Sequence, residues 1–194
     1  MPQPRLILAS ASPRRHELLH KAGYLFDVRP ADIDESLYPP GLSPGELASY
    51  LAQQKARAGV NAFGDEVVLA ADTVVALAGQ IFGKPADRDD ARRMLCRLSG
   101  TAHAVLTGVT IVRPSTGFFR SRLVESSVRM RPLTASEINA YLDTNNWRGK
   151  AGSYGIQDHD PFVTRITGSL TNIVGLPMDE AREMLAAAGV LAGT

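Results

Sequence analysis

Leu6-Ile7-Leu8-Ala9-Ser10-Ala11-Ser12-Pro13-Arg14-Arg15 is the stretch on which the fold turns. Leu6 to Ser10 reads as a short buried strand, after which Ser12 supplies a helix N-cap and Pro13 the first residue of a helix ending at Gly23. Strand, loop and helix in that order form the repeating unit of α/β proteins. Further along, Ser43-Pro44-Gly45-Glu46 has the S-x-x-E spacing of a capping box and opens a helix to about Gly59 with Leu47 and Leu51 on one face. Thr134-Ala135-Ser136-Glu137 repeats the device ahead of Ile138, Tyr141 and Leu142. Asp87 to Leu98 reads as an amphipathic helix closed by Gly100, and Pro177 opens a last helix reaching about Ala188. Between them Val67 to Ala71, Thr73 to Leu77, Val105 to Val112, Phe118 to Met130 and Phe162 to Ile166 read as strands, with a turn at Pro114-Ser115-Thr116-Gly117. No internal repeat or low-complexity linker interrupts them. The expected fold is therefore α/β, a mixed twisted sheet with flanking helices, in a single domain over 1–194.

Composition narrows the function classes. Lys and Arg (21) nearly balance Asp and Glu (20), so no broad positive field exists to hold a long polyanion, and nucleic acid is not an expected partner. A local basic pocket for a small anion remains open. The single cysteine, Cys96, cannot form an internal disulfide and falls at an apolar-periodic helix position, where a buried inert thiol is expected. Leu6-Ile7-Leu8-Ala9 is too short for a signal-peptide core and no run reaches the ~18 apolar residues of a membrane span, so the expected location is the cytoplasm.

Four constellations carry candidate chemistry. At Ser10-Ala11-Ser12-Pro13-Arg14-Arg15, free backbone N–H groups, hydroxyls and two guanidinium groups meet at a helix start. Cations there oppose the helix dipole unless an anion sits between them, which favours phosphate over a merely capped surface helix. In Val67-Val68-Leu69-Ala70-Ala71-Asp72-Thr73-Val74-Val75 a carboxylate interrupts an apolar run. Asp72 either marks a bend between two strands or serves a cation or a proton transfer, because an unpartnered buried charge is costly. Lys55 extends the Leu47, Leu51 stripe as a snorkelling or a catalytic lysine, Lys84 sits in Phe82-Gly83-Lys84-Pro85, and Asp32, Asp34 and Glu35 form either a solvated turn or a source of hard oxygen ligands. Closely spaced glycines in Gly149-Lys150-Ala151-Gly152-Ser153-Tyr154-Gly155-Ile156-Gln157 suit close approach of backbone to a ligand, or a flexible loop. Gly175-Leu176-Pro177 is explicable as a turn, and the four histidines show no metal-ligand spacing.

Taken together, these segments resemble the Maf family of nucleotide pyrophosphatases. The resemblance runs from about Leu6 to Leu185 and rests on the S-x-S-P-R-R of Ser10 to Arg15, Asp34-Glu35, Lys55-Ala56, Ala71-Asp72-Thr73-Val74-Val75, Gly83-Lys84-Pro85, Lys150 to Gln157 and Val174-Gly175-Leu176-Pro177. It implies hydrolysis of a nucleoside triphosphate between its α- and β-phosphates with Mg²⁺ or Mn²⁺, in a dimer whose two lobes surround a central cleft. The family's general base maps onto Asp72, and its polar pocket onto Ser10, Arg14, Arg15, Glu35, Lys55 and Lys84, with Asp72 and Glu35 as the metal's carboxylates. Arg14, Thr73 and Gln157 resemble the branch acting on dTTP and UTP, whereas Asp158-His159-Asp160 stand where relatives often carry glycine. The competing expectations are a 7-methyl-GTP or modified-nucleotide pyrophosphatase, and a nucleotide-sensing regulator of cell division.

Overall fold

The opening stretch folds as its pattern predicts. In the computed structural model, which describes residues 3–63, 66–156 and 162–193, β1 (Leu6–Leu8) is fully buried and hands the chain to α1 (Pro13–Lys21). Ser12 caps that helix by accepting from the Arg15 N–H at 3.5 Å, and Gly23 ends it at φ 82°, a backbone angle that costs glycine nothing. A two-residue strand, β2 (Asp27–Val28), precedes α2 (Pro44–Phe63). Ser43 and Glu46 close the expected capping box, the Ser43 N–H donating to Glu46 Oε2 at 2.8 Å.

The long strands then follow: β3 (Val67–Leu77) with the short β4 (Gln80–Phe82), α3 (Arg88–Leu98), β5 (Ala102–Arg113), β6 (Phe118–Met130) and α4 (Ala135–Asp143). The chain closes with β7 (Val163–Thr167), α5 (Leu170–Val174) and α6 (Met178–Ala187). Among the described residues seven strands make one mixed sheet in the order β2-β1-β3-β5-β6-β7, with β4 on the edge of β3. Among these described strands β1 alone runs parallel to its neighbours, and every other pair is antiparallel.

One detail of register creates the cleft. β1 pairs with Val67, Val68 and Leu69 of β3, while β4 pairs with Val75, Ala76 and Leu77 on the same edge. Residues 70–74 lie in the gap between the two short strands. Consecutive strand residues point to opposite faces, so Asp72 and Thr73 reach this gap from opposite sides of the sheet.

Each face buries apolar surface on both sides of that level. α2 covers one face, with Ile7, Ala56, Val68 and Ala70 in one cluster and Leu47, Leu51, Val74 and Leu106 in another. On the opposite face α1 and α6 cover Leu6, Leu8, Leu69, Val109 and Ile111, whereas α3 and α4 cover Val75, Val105, Val128 and Met130. α2 sits close because Gly108 lacks a side chain: a Cβ there would lie 2.4 Å from the Ala48 carbonyl oxygen.

Three expectations change. Val67 to Leu77 is one continuous strand, so Asp72 marks no bend; its pairing with Gly108 is regular. α2 passes through Gly59 to Phe63, because Gly59 serves packing rather than termination: its Cβ would meet Val68 Cγ1 at 2.7 Å. Cys96 is exposed, because the buried stripe of α3 is Ala91, Leu95 and Leu98 and Cys96 lies one position round the helix from Leu95.

Candidate active site

α2 delivers Lys55 to Asp72. The lysine extends the buried stripe that includes Leu51, and its ammonium group lies 2.5 Å from Asp72 Oδ1 and 2.8 Å from Glu35 Oε1. The other oxygen of Glu35 takes the Lys84 ammonium at 2.7 Å. These four side chains alternate in charge along a ladder from the interior to the surface: side-chain exposure is 7% at Asp72, 8% at Lys55, 39% at Glu35 and 55% at Lys84. Burial pushes the Glu35 carboxyl up, but its hydrogen bonds to Lys55 and Lys84 and their charges outweigh that and bring it to about 2. Glu35 therefore stays ionised at neutral pH and is a weak proton acceptor.

On the other face the start of α1 aims Arg15 into the sheet gap. Its Nη1 donates to Ser10 Oγ at 3.2 Å, Nη2 to Thr73 Oγ1 at 3.2 Å and Nε to the Gly175 carbonyl at 2.8 Å. Burial lowers its pKa, with Asp72 opposing, yet a guanidinium remains charged in any folded protein. Arg14 donates to the Gly149 carbonyl at 3.4 Å, at the entrance to the glycine-rich segment. That segment is anchored to the Lys84 turn, since the Gly152 N–H donates to the Gly83 carbonyl at 3.1 Å.

All of these groups line one cleft of about 440 Å³. Arg14, Arg15, Lys55, Lys84, Arg148 and Lys150 face it, against Glu35 and Asp72 as the acids among the described lining residues. An excess of cations in a concave site matches a multiply charged anion and is the local basic pocket that overall composition left open. Within this cleft the structure brings together Ser10, Arg14, Arg15, Glu35, Lys55, Asp72, Thr73 and Lys84. Gln157 lies outside the described residues, as do Asp158, His159 and Asp160. Asp32 and Asp34 are exposed, and Asp34 holds Ser36 in a turn through its N–H at 2.9 Å.

The family profile described as "Maf-like protein" matches residues 5–188. The chain belongs to the Maf family. Among curated Maf relatives, a "dTTP/UTP pyrophosphatase" of Anaeromyxobacter sp. (strain Fw109-5) is 48% identical over 189 residues, covering 95% of this chain and 90% of the relative. Proteins of the same description from Brucella abortus (strain 2308) and Maricaulis maris (strain MCS10) are each 46% identical, covering 96% and 97% of this chain and 93% and 90% of their own lengths.

Several residues in and behind the Maf cleft escaped the sequence reading. Thr107 and Asn172 are fully buried behind Thr73, and the Gly175 carbonyl, read as part of a simple turn, receives Arg15. A threonine in a strand and an asparagine in a short helix give no periodic signal, because both are ordinary residues there. Buried His103 bonds through Nε2 to the hydroxyl of Tyr154, a cleft-lining residue, at 2.7 Å. Burial lowers the imidazole pKa to about 4 and raises that of the phenol, so the pair is neutral at pH 7.

Proposed function

We propose that this chain hydrolyses dTTP and UTP to the monophosphate and pyrophosphate in the cleft between β1 and β4. The observation that carries the reading is the Asp72–Lys55–Glu35–Lys84 ladder facing two arginines across a gap in the sheet. The relatives described as dTTP/UTP pyrophosphatases, similar over nearly their whole length, supply the substrate class.

In this reading Arg14, Arg15 and Lys84 hold the triphosphate and offset the charge that builds on the leaving pyrophosphate. Glu35 keeps Lys55 and Lys84 oriented. Asp72 is the carboxylate that orients and deprotonates the attacking water, and Lys55 holds it in place at 2.5 Å. The base side is assigned to Arg14, Thr73 and Gln157.

Among the described residues no group of three or more His, Cys, Asp or Glu could form a metal cage. Asp72 and Glu35 nevertheless fit a hard cation such as Mg²⁺ or Mn²⁺, which is commonly held by one or two carboxylates together with substrate phosphates. When bound, the cation polarises phosphoryl oxygens. Lys55 lies between the two carboxylates, so the protein itself supplies the positive charge that links them.

The reading extends to a cytoplasmic homodimer. No helix among the described residues is long and apolar enough to cross a membrane. The β6 edge over residues 118–126 has no strand partner besides β5 among the described residues, and it exposes Phe119 and Leu123, which suits contact with a second copy. Sedimentation of the purified chain tests the dimer.

Product analysis with dTTP, UTP, CTP, GTP and 7-methyl-GTP, each with Mg²⁺ and Mn²⁺, tests the activity. The expected result is monophosphate plus pyrophosphate, with dTTP and UTP the best substrates. Preference for 7-methyl-GTP would overturn the base assignment alone, and release of orthophosphate would overturn the site of cleavage.

A further inference from the structure

Behind the cleft, Arg15, Thr73, Thr107 and Asn172 form a hydrogen-bonded file across the sheet. Thr73 and Thr107 are direct partners on β3 and β5, their hydroxyl oxygens 2.9 Å apart. Thr107 Oγ1 also lies 3.1 Å from the Asn172 carbonyl oxygen, which can only accept. The single hydroxyl proton of Thr107 is therefore committed to that carbonyl, and Thr73 must be the donor between the two threonines. Thr73 in turn accepts from Arg15 Nη2 at 3.2 Å, a group that can only donate. Every proton in the file points from Arg15 toward Asn172. Thr73 has spent its only proton and presents a lone pair to the cleft.

Ser10, on the other side of Arg15, has the opposite polarity. Its oxygen accepts from Arg15 Nη1 and from the Ser12 N–H, both at 3.2 Å, which leaves its own proton for an acceptor such as a phosphate oxygen. The back of the file is fixed: Asn172 Nδ2 donates to the Val105 carbonyl at 3.0 Å and to Ser126 Oγ at 2.9 Å, and both Asn172 and Thr107 are fully buried.

We infer that Thr107 is a positioning residue for base choice: by drawing the Thr73 proton toward Asn172 it makes Thr73 an acceptor that selects a ligand N–H. The inference rests on the cleft being a dTTP and UTP site. Phosphate oxygens only accept, so they do not face Thr73. The 2′-hydroxyl is present in UTP and absent from dTTP, and the 3′-hydroxyl is common to every nucleotide compared, whereas N3–H is carried by uracil and thymine and is the donor through which Thr73 would tell them from cytosine. Cytosine has an unprotonated N3, which would set one lone pair against another.

The test is kcat and KM for UTP and CTP in the wild type, Thr107→Val, Thr107→Ser, Thr73→Val and the Thr73→Val/Thr107→Val double variant, with thermal melts on each. Thr107→Val is close in shape and frees the Thr73 proton, so the UTP-over-CTP preference in kcat/KM should fall at least ~10-fold, carried mainly by KM. Thr107→Ser should restore it, and Thr107→Val should add nothing once Thr73 is Val. Should Thr107→Val fail to fold, Thr107→Ala takes its place with the same expectation. A preference unchanged in the hydroxyl-less variant, no rescue by serine, or a full effect in the Thr73→Val background overturns the inference. An unchanged preference is also what a sugar hydroxyl opposite Thr73 would give. A wild type that releases no pyrophosphate from UTP overturns the reading of the site and this inference with it.

Discussion

The two faces of β3 solve the same problem with different chemistry. Around Asp72, α2, the loop before it and the segment after β4 build a ladder of full charges, from a buried pair at 2.5 Å to an exposed one at 2.7 Å. Around Thr73 the polar groups behind Arg15 are neutral hydroxyls and amides, each proton assigned by its neighbour. Charges act through distance and tolerate small displacements, whereas a hydroxyl file acts through direction and fails when one member is lost. The charged face thus suits catalysis on phosphate, and the neutral face suits discrimination between ligands of similar charge.

The largest effect should come from Asp72→Asn, which keeps the shape and removes the charge. It should lower kcat by about 10²–10⁴-fold, the usual range for a general base, with a smaller loss of stability than Lys55→Ala because Lys55 keeps Glu35 as a partner at 2.8 Å. Near wild-type turnover in single-turnover assays would return Asp72 to a purely structural pairing. Lys55→Ala leaves Asp72 buried without its ammonium partner, and breaking such pairs costs about 3–5 kcal/mol. Lys84→Ala, at the exposed end, should cost under about 1 kcal/mol of stability while still weakening nucleotide binding. Urea titration of the two variants separates the ends of the ladder; equal losses would break the distinction between them.

On the neutral face His103 offers a pH test. Its folded pKa of about 4 lies below the ordinary 6.5, so between these values the unfolded chain binds more protons and stability rises with pH. Acidification from 6.5 to 4 should therefore remove up to about 3 kcal/mol, and His103→Gln should flatten that part of the profile. An unaltered profile would mean that the imidazole is not held neutral by burial. Arg15→Lys is the mildest change, since the charge stays while the three-way grip on Ser10, Thr73 and Gly175 is lost. A loss of about 10-fold in kcat/KM is expected for UTP and for CTP, and kinetics equal to wild type would show that charge alone matters there.

Much of this was legible in the linear chain. Ser12-Pro13, the two capping boxes and the glycine stops at Gly23 and Gly100 gave the helices because capping is a matter of residues a few positions apart. Asp72 and Lys55 stood out because each interrupts an apolar pattern where a charge needs a partner. Of the two alternatives for Asp72 the bend failed, because the partner of its charge is Lys55, on a helix whose approach depends on Gly108. Periodicity could not reveal such an approach.

What the sequence by itself determined is the α/β class, the cationic helix start, the buried carboxylate and membership of the Maf family. Only the tertiary structure decided that β1 and β4 stop short of one another on β3, that Lys55 bridges two carboxylates, and that the Thr107 hydroxyl lies against that of Thr73. The physical reason is one of range. Helix caps and amphipathic stripes follow from local backbone geometry, while the direction of a hydroxyl proton and the partner of a buried charge depend on groups that only the folded sheet brings within 3 Å or so of each other.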